Sequence, residues 1–340
     1  MELGRFTVLS EIGSGTHSTV FLATDGKSKV AMKRVDMSLL CDEDKSHAKD
    51  EATMLSKLKH PTIVNYQEAF VLKDRQLLCI CMEYCEQGDL YTYVQRVIER
   101  KGKTATQVKT LIDDDVCIDW LIQLSLALEY LHNKNILHRD LKLQNVFLSR
   151  PIKEFNADGS AKFFVKLGDF GVAKQLENRA SLTTTQIGTP FNMSPEVFTQ
   201  FPYSFKTDIW SLACVICECM QGTPPFDANS FLSLRNKVLN DKPKIDNSSQ
   251  LSALLLKMLK KDPRLRPSAK EILAHPGISE NVPAVLESFA RVSLKSLTLL
   301  VDQLLGLDLV NLVPAGAITL AHKSELKSAR RAIPVSLVGS

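Results

Sequence analysis

One stretch of the chain decides its fold: residues 136–148, which read ILHRDLKLQNVFL. Within it, Asp140 and Asn145 lie five positions apart in a polar turn between two apolar runs. Phosphoryl transfer to a hydroxyl needs such a pair, because a carboxylate can orient and deprotonate the attacking hydroxyl while an amide holds a divalent cation. Lys142 lies between them, where its charge would neutralise the transferred phosphoryl group. A solvated helix end followed by a turn would give the same cluster, so the motifs on either side decide between the two interpretations.

Length and composition are those of an ordinary globular protein. The 340 residues suit about two folding units of roughly 150 residues each. The net charge of +4 is too small to indicate nucleic acid or a membrane surface as a partner. The N-terminus lacks the apolar core of a secretory signal. The most apolar region, residues 297–312, is interrupted by Asp302 and Asp308, so we expect no membrane insertion.

The eight cysteines are scattered through apolar stretches and do not form a disulfide framework. Cys214, Cys217 and Cys219 resemble a metal-binding set, but they lie in one apolar helical run with no further ligand pair nearby. We therefore expect buried thiols and a reducing compartment. The prediction is a cytoplasmic protein, with association to the cytoskeleton or the nucleus as alternatives.

The N-terminal part has the pattern of a sheet that holds a nucleotide. Residues 6–12 and 20–23 read as strands around a hairpin that contains Gly13 and Gly15. Glycine there lets backbone N–H groups cover phosphates without side chains in the way, although a plain turn is the alternative. Residues 30–33, Val-Ala-Met-Lys, end on Lys33, which would bind the α- and β-phosphates; an exposed strand lysine is its alternative.

A carboxylate is needed to position such a lysine. Residues 42–59 have helical periodicity and end before His60-Pro61. Glu51 lies about two turns before this end and is the predicted partner of Lys33. Its neighbour Asp50 would point to another face, since successive helical residues are about 100° apart.

Two motifs follow the catalytic turn. Asp169-Phe170-Gly171 begins 29 residues after Asp140, and Asp169 would chelate a Mg²⁺ ion that bridges the phosphates. The second motif, Ser194-Pro195-Glu196, ends the segment that begins at Asp169. That segment carries a hydroxyl cluster whose phosphorylation could pair with Arg139 and order the loop, unless it is only a polar loop. Thr185 is the preferred candidate site, with Thr183 and Thr184 next.

Taken together, these motifs resemble the eukaryotic protein kinases over residues 1–276, and within them the NIMA-related (Nek) serine/threonine kinases. The likeness to the Nek kinases rests on residues 58–64 (LKHPTIV), 82–86 (MEYCE), 138–148, 188–196 (GTPFNMSPE) and 208–212 (DIWSL). It implies an α+β, bilobal fold with a small antiparallel N-lobe (1–83), a hinge (83–88) and a larger helical C-lobe (89–276).

The resemblance also implies the cofactors, ATP with Mg²⁺ or with Mn²⁺ in its place, and the residues that bind them. Met82 would gate a back pocket, the backbone near Glu83 and Cys85 would bond the adenine, Asp89 would meet the ribose, and Phe147 would lie under the base. The full predicted nucleotide site is Ile12, Gly13, Gly15, Val20, Ala31, Lys33, Met82, Glu83, Cys85, Asp89 and Phe147.

The implied partners are proteins phosphorylated on Ser or Thr, together with an activating kinase or a second copy acting in trans. Roles near microtubules, cilia or the cell cycle belong to the same expectation. Two further contacts are predicted: Asp208 would hold the catalytic-loop backbone, and Arg266 would pair with Glu196, a surface arginine being the alternative. The chain departs from the family pattern at three positions: Ser18 for a third loop glycine, Asn192 for an aromatic residue, and Ala213 for a glycine.

Residues 277–340 lie outside the resemblance. Leucines recur at helical spacing from Val282 to Leu312, and residues 323–331 are basic. We expect one or two helices that pack on the kinase or on a partner. An alternative function is a pseudokinase scaffold that binds partners through this tail, and a metabolite kinase of the same fold is a third. The joint presence of Lys33, Asp140, Asn145 and Asp169 favours an active protein kinase.

Overall fold

The structure is a computed structural model. The residues that it describes are 1–14, 18–39, 41, 45–46, 52–53, 55–101, 111–155, 161–169, 191–246 and 249–321. Within them the chain forms a small N-terminal sheet lobe and a larger helical lobe. The predicted bilobal α+β architecture is confirmed.

The N-terminal lobe is a curled antiparallel sheet with strand order β1-β2-β3-β4-β6-β5. Alternating apolar residues bury one face of it around Phe6 and Met32, while Val35 and Ile80 join the main core through the other face. The strands are β1 (Glu2–Leu3), β2 (Phe6–Ser14), β3 (Ser18–Thr24), β4 (Lys29–Asp36), β5 (Tyr66–Leu72) and β6 (Leu77–Glu83). The strands predicted at 6–12 and 20–23 are confirmed, and both are longer than predicted.

The segment between β4 and β5 packs on this sheet. Residues 45–46, 52–53 and 55–56 are helical, in line with the predicted periodicity. Ala52, Leu55 and Leu58 are buried in the main core. Glu51 and Gly15 lie outside the described residues.

The C-terminal lobe is built around two buried helices, α2 and α4. The apolar patterns of residues 116–133 and 207–220 predict these two helices, and Trp120 and Trp210 lie in their buried faces. The helices of the described chain are α1 (Leu90–Lys101), α2 (Asp114–His132), α3 (Pro195–Phe198), α4 (Phe205–Gln221), α5 (Phe231–Asn240), α6 (Ser252–Met258), α7 (Ala269–Leu273), α8 (Pro276–Ser279), α9 (Val282–Val292) and α10 (Leu294–Gly306). None of them is long and apolar enough to cross a membrane.

A two-stranded sheet follows the catalytic turn. Its strands, β7 (Val146–Phe155) and β8 (Ala161–Leu167), are antiparallel. The sequence predicts a surface loop over residues 149–162, between the short apolar runs 146–148 and 165–167. This prediction is wrong for residues 149–155 and 161–162, which belong to the two strands. Strand β8 delivers Gly168 and Asp169 to the cleft between the lobes.

The helices after residue 276 pack on the C-terminal lobe. The rings of Phe289 in α9 and Phe164 in β8 lie 4.2 Å apart. Leu297, Leu300 and Leu304 of α10 are buried in the same core as α2. The division of the chain at residue 276 remains a prediction, but the described helices on both sides of it share one hydrophobic core.

The cysteines of α4 are buried among apolar side chains. Cys214, Cys217 and Cys219 are inaccessible to solvent, and all eight cysteines are free thiols. Burial raises the pKa of the three thiols. Within the described residues no group of three or more His, Cys, Asp or Glu side chains is arranged to hold a metal ion. The prediction that these three thiols are buried is confirmed.

Candidate active site

Asp208 of α4 holds the backbone of the catalytic turn at His138 and Arg139. One carboxylate oxygen of Asp208 accepts hydrogen bonds from the backbone N–H of His138 (3.0 Å) and from Nε2 of His132 (2.9 Å). The other oxygen accepts from the N–H of Arg139 (3.0 Å). A fully buried carboxylate needs such partners, and here they fix the turn. The predicted role of Asp208 is confirmed.

Arg139 takes the strained conformation that this anchoring requires. Its φ is +67°, in the left-handed region that non-glycine residues rarely adopt. Its carbonyl accepts a hydrogen bond from the hydroxyl of Tyr203 at 3.0 Å. Strain of this kind persists only where the surroundings determine it, and it is concentrated at functional sites.

The predicted catalytic residues meet at the top of this turn. The amide nitrogen of Asn145 donates to the carbonyl oxygen of Asp140 (2.7 Å) and to its carboxylate (3.0 Å). Nζ of Lys142 lies 3.0 Å from the same carboxylate oxygen of Asp140. Both bonds of Asn145 use its nitrogen, so its amide oxygen is the atom suited to a cation. The turn thus carries a carboxylate, a positive charge and an amide oxygen in one cluster.

A second ion pair joins the two lobes. Nζ of Lys33, on β4, lies 2.6 Å from the carboxylate of Asp169, after β8. Lys33 is buried, whereas the side chain of Asp169 is 43% exposed. Burial raises the pKa of Asp169, but the charge and hydrogen bond of Lys33 outweigh it and hold that pKa below its ordinary value. Asp169 is therefore ionised at neutral pH, as a metal ligand must be.

His138 connects the two clusters. Its Nε2 lies 3.0 Å from the carbonyl oxygen of Gly168, and its Nδ1 lies 3.3 Å from the N–H of Asp140. The first nitrogen therefore carries the proton and donates, while the second accepts. Burial lowers the pKa of this imidazole, which stays neutral in the working pH range. The backbone N–H of Gly168 also donates to the carbonyl of Asn145 at 2.9 Å.

The cleft beside these residues is lined by the sheet. Strand pairing sets Gly13 opposite Val20, Val20 opposite Lys33, and Ala31 opposite Met82. Met82 also lines a cavity of about 10 Å³, room for about one water. Its walls include Leu55, Val64, Gly168 and Asp169. A back pocket gated by Met82 was the expectation, and Met82 does border a cavity that reaches Asp169.

Hydrogen bonds hold the hinge on both sides. The N–H of Glu83 donates to the carbonyl of Asn65 at 2.8 Å, and its carboxylate pairs with Lys166 at 2.7 Å. The carboxylate of Asp89 accepts from the N–H and hydroxyl of Thr92, so it caps α1. The ribose contact predicted for Asp89 remains a prediction.

The comparisons with known proteins agree with this geometry. The family model for the protein kinase domain matches residues 6–278. The chain belongs to the protein kinase family. It is 36% identical to the mouse serine/threonine-protein kinase Nek4 over 295 residues, which are 85% of this chain and 34% of that protein. It is 36% identical to human Nek11 over 299 residues, 86% of this chain and 43% of the relative.

The resemblance to the Nek kinases is therefore confirmed. Mouse Nek3 adds a third case, 35% identical over 84% of this chain and 52% of its own length. The chain thus spans about a third to a half of the length of these three relatives. Members of the kinase family use ATP and a divalent metal, and the cluster around Asp169 offers the hard oxygen donors that such an ion requires.

Glu196, at the end of the segment that begins at Asp169, is bound to the C-lobe by an ion pair. The guanidinium of Arg266 forms two 2.7 Å hydrogen bonds with the carboxylate of Glu196. The hydroxyl of Thr207 donates to the same carboxylate at 2.9 Å. The predicted Arg266–Glu196 ion pair is confirmed and is buried. The candidate phosphorylation sites Thr183, Thr184 and Thr185 lie outside the described residues.

Sequence reasoning missed three contacts near the site. Lys166 pairs with Glu83, and Asn192 donates from its side-chain amide to the carbonyl of Leu141 at 3.0 Å. Gln303 of α10 contacts His60 at 2.9 Å. Asn192 had a signal, because it departs from the family pattern at that position. The other two join residues far apart in the chain and have no local signature.

Proposed function

We propose that the chain is an ATP-dependent serine/threonine protein kinase. The observation that carries this is the connected cluster in the cleft: Asp140 with Asn145 and Lys142 on the catalytic turn, and Lys33 with Asp169 across the lobes. Every charged group that phosphoryl transfer requires of the described chain is within hydrogen-bonding distance of another member.

In the proposed reaction Asp140 accepts the proton of the substrate hydroxyl as that oxygen attacks the γ-phosphorus. The bond from the γ-phosphorus to the β,γ-bridging oxygen breaks, and ADP leaves. Lys142 neutralises charge on the transferred group, and Lys33, oriented by Glu51, aligns the α- and β-phosphates. Asn145 and Asp169 would hold Mg²⁺, or Mn²⁺ in its place, which supplies charge neutralisation on the phosphates when bound.

The nucleotide would lie between the N-lobe sheet and β7. Ile12, Gly13, Gly15 and Val20 would cover its phosphates and ribose, with Ala31 and Phe147 on the two faces of the adenine. The antiparallel registers across β2, β3 and β4 support this, because they set Gly13, Val20 and Lys33 side by side. The remaining members of the proposed site are Met82, Glu83, Cys85 and Asp89.

The regulation that we propose is phosphorylation of Thr185, or of Thr184 or Thr183, by an activating kinase or by a second copy in trans. Arg139 is the proposed phosphate partner. Ser or Thr side chains of proteins are the proposed substrates, in a cell-cycle, microtubule or ciliary role. The eight free thiols support a reducing location, which we propose is the cytoplasm, with the cytoskeleton or nucleus as alternatives.

The experiment is transfer of labelled phosphate from ATP–Mg²⁺ to a generic protein substrate. Wild type is compared with Asp169→Ala, which removes the proposed metal ligand, and with Asp262→Ala, which removes a half-exposed carboxylate that pairs with the exposed Arg264. Label that appears with wild type and Asp262→Ala but not with Asp169→Ala would support the proposal. No transfer by wild type, even after treatment with an activating kinase, would refute it and favour the pseudokinase scaffold.

A further inference from the structure

We propose that Gln303, on helix α10, is a positioning residue for the metal-binding end of β8, acting through His60. The inference rests on the proposed function and assigns residues beyond 276 to the catalytic machinery. The juxtaposition that carries it is a chain of hydrogen bonds from α10, through the turn before β5, to the residue that precedes Gly168.

The first link is a side-chain amide held at both ends. Nε2 of Gln303 donates to the carbonyl of Leu126, in the middle of α2, at 2.9 Å. Its Oε1 therefore accepts from Nε2 of His60, also at 2.9 Å. Because α2 is a largely buried helix of the C-lobe, it gives the amide a fixed reference point.

The second link is the imidazole of His60, which is only 8% exposed. Since Nε2 carries the proton, Nδ1 accepts from the backbone N–H of Thr62 (3.3 Å) and from its hydroxyl (2.9 Å). Burial lowers the pKa of His60 to about 4, so this neutral tautomer persists at working pH. The ring of Tyr130, from α2, packs against it with centroids 4.8 Å apart.

The third link joins this turn to β8. The N–H of Leu167 donates to the carbonyl of Thr62, and the carbonyl of Leu167 accepts from the N–H of Val64, both at 2.9 Å. Asp169 follows two residues later. The turn that His60 shapes is thus hydrogen-bonded on both sides of the last residue of β8.

Neighbouring side chains pack closely around Gly168, at the end of this path. A Cβ added to Gly168 would lie 2.7 Å from Cγ2 of Val64 and 2.9 Å from Cε2 of Phe147. A shift of Val64 therefore presses on Gly168 directly. Metal ligation tolerates only small errors in ligand position, so a displaced Asp169 would bind its ion less well.

The competing interpretation is that α10 only stabilises the C-lobe. The two are separated by a pair of matched variants on the same helix. Gln303→Leu removes both hydrogen bonds with little change in volume. Leu297→Ala removes buried apolar volume about two turns away and leaves the Gln303 amide intact.

Two quantities are measured for each variant. One is the Mg²⁺ concentration that gives half-maximal phosphate transfer at saturating ATP. The other is the Mg²⁺-dependent rise in unfolding temperature with a non-hydrolysable ATP analogue, which does not depend on turnover. For Gln303→Leu we expect the half-maximal Mg²⁺ concentration to rise on the order of three- to thirtyfold, with a smaller thermal shift. For Leu297→Ala we expect a lower unfolding temperature and an unchanged Mg²⁺ dependence.

Wild-type Mg²⁺ dependence in Gln303→Leu would overturn the inference, and so would an equal change in Leu297→Ala. If Gln303→Leu does not fold, Gln303→Glu replaces it, since it keeps an acceptor for His60 and loses the donor to Leu126. A wild-type protein that transfers no phosphate would refute the proposed function. The thermal shift would then still report whether Gln303 affects metal-dependent nucleotide binding.

Discussion

Removing one partner of the buried ion pair between Arg266 and Glu196 should strongly destabilise the C-lobe. The side chain of Arg266 is inaccessible and that of Glu196 is 6% exposed. Arg266 also donates to the backbone carbonyls of Lys206, Lys260 and Lys261 and lies over the ring of Trp210. Arg266→Met keeps most of the apolar volume but leaves a buried carboxylate without its cation.

Removing one partner of a buried pair costs about 3–5 kcal/mol of unfolding free energy, and the abandoned carbonyls would add to it. Since whole domains have only about 5–15 kcal/mol, we expect a large shift of the urea midpoint. Arg264→Ala is the matched control, because its pair with Asp262 is an exposed arginine contact in the same turn. We expect that control to leave the midpoint unchanged.

The pH dependence gives a second check. Burial raises the pKa of Glu196, but the hydrogen bonds and charge of Arg266 outweigh it, so the folded pKa lies below its ordinary value of 4.5. A depressed carboxyl pKa contributes stability above about pH 4.5 and loses it as the pH falls through the folded value. In Arg266→Met burial still raises the pKa of Glu196 with no cation to oppose it, so this carboxyl group takes up a proton above pH 4.5. The difference in unfolding free energy between wild type and Arg266→Met should therefore narrow as the pH falls from 7 toward 4. A difference under about 1 kcal/mol at pH 7, or one that does not change with pH, would refute this reasoning.

Three further predictions concern the cleft. Lys33→Met should lower kcat about 10²- to 10³-fold in steady-state kinetics, because the interlobe charge next to Asp169 is lost; Lys27→Met, exposed on the same lobe, is the control. Ser18→Gly should lower the KM for ATP, because β3 begins at Ser18 and a glycine would loosen the phosphate cover; an ATP titration with unchanged KM would contradict this. Asn192→Leu should lower kcat about two- to tenfold through loss of the bond to Leu141, with the KM for ATP unchanged. A change confined to that KM would assign Asn192 a different role.

The features that could be predicted from the sequence are those whose signal lies within a short stretch of the chain. The catalytic turn, the strand that ends on Lys33 and the apolar helix around Asp208 each carry their signal within a few residues. A buried Asp in an apolar run must find partners, and the backbone of the turn was a sound expectation for it. The length of the β7–β8 hairpin was missed because its outer part is polar and lacks the alternation that marks a half-buried strand.

Contacts that close over long separations were not predictable in this way. Glu83 and Lys166 are 83 residues apart, and each alone reads as a surface charge. Asn192 stood out only because a pattern made it unusual, and the pattern did not say which carbonyl its amide would find. The type of a charged or amide side chain determines which hydrogen bonds it can form, but its partner depends on the fold.

Gln303 illustrates this limit most clearly. In the sequence it is one polar residue among leucines, typical of the exposed stripe of an amphipathic helix. In the structure its side-chain amide instead forms hydrogen bonds with a backbone carbonyl of α2 and with a histidine 243 residues away. Because α2 is fixed by the C-lobe core and His60 belongs to the turn below the N-lobe sheet, one amide spans the two lobes behind the cleft. The helices that lie outside the family resemblance therefore contact the kinase domain at His60, the first residue of the path by which we propose that Gln303 positions Asp169.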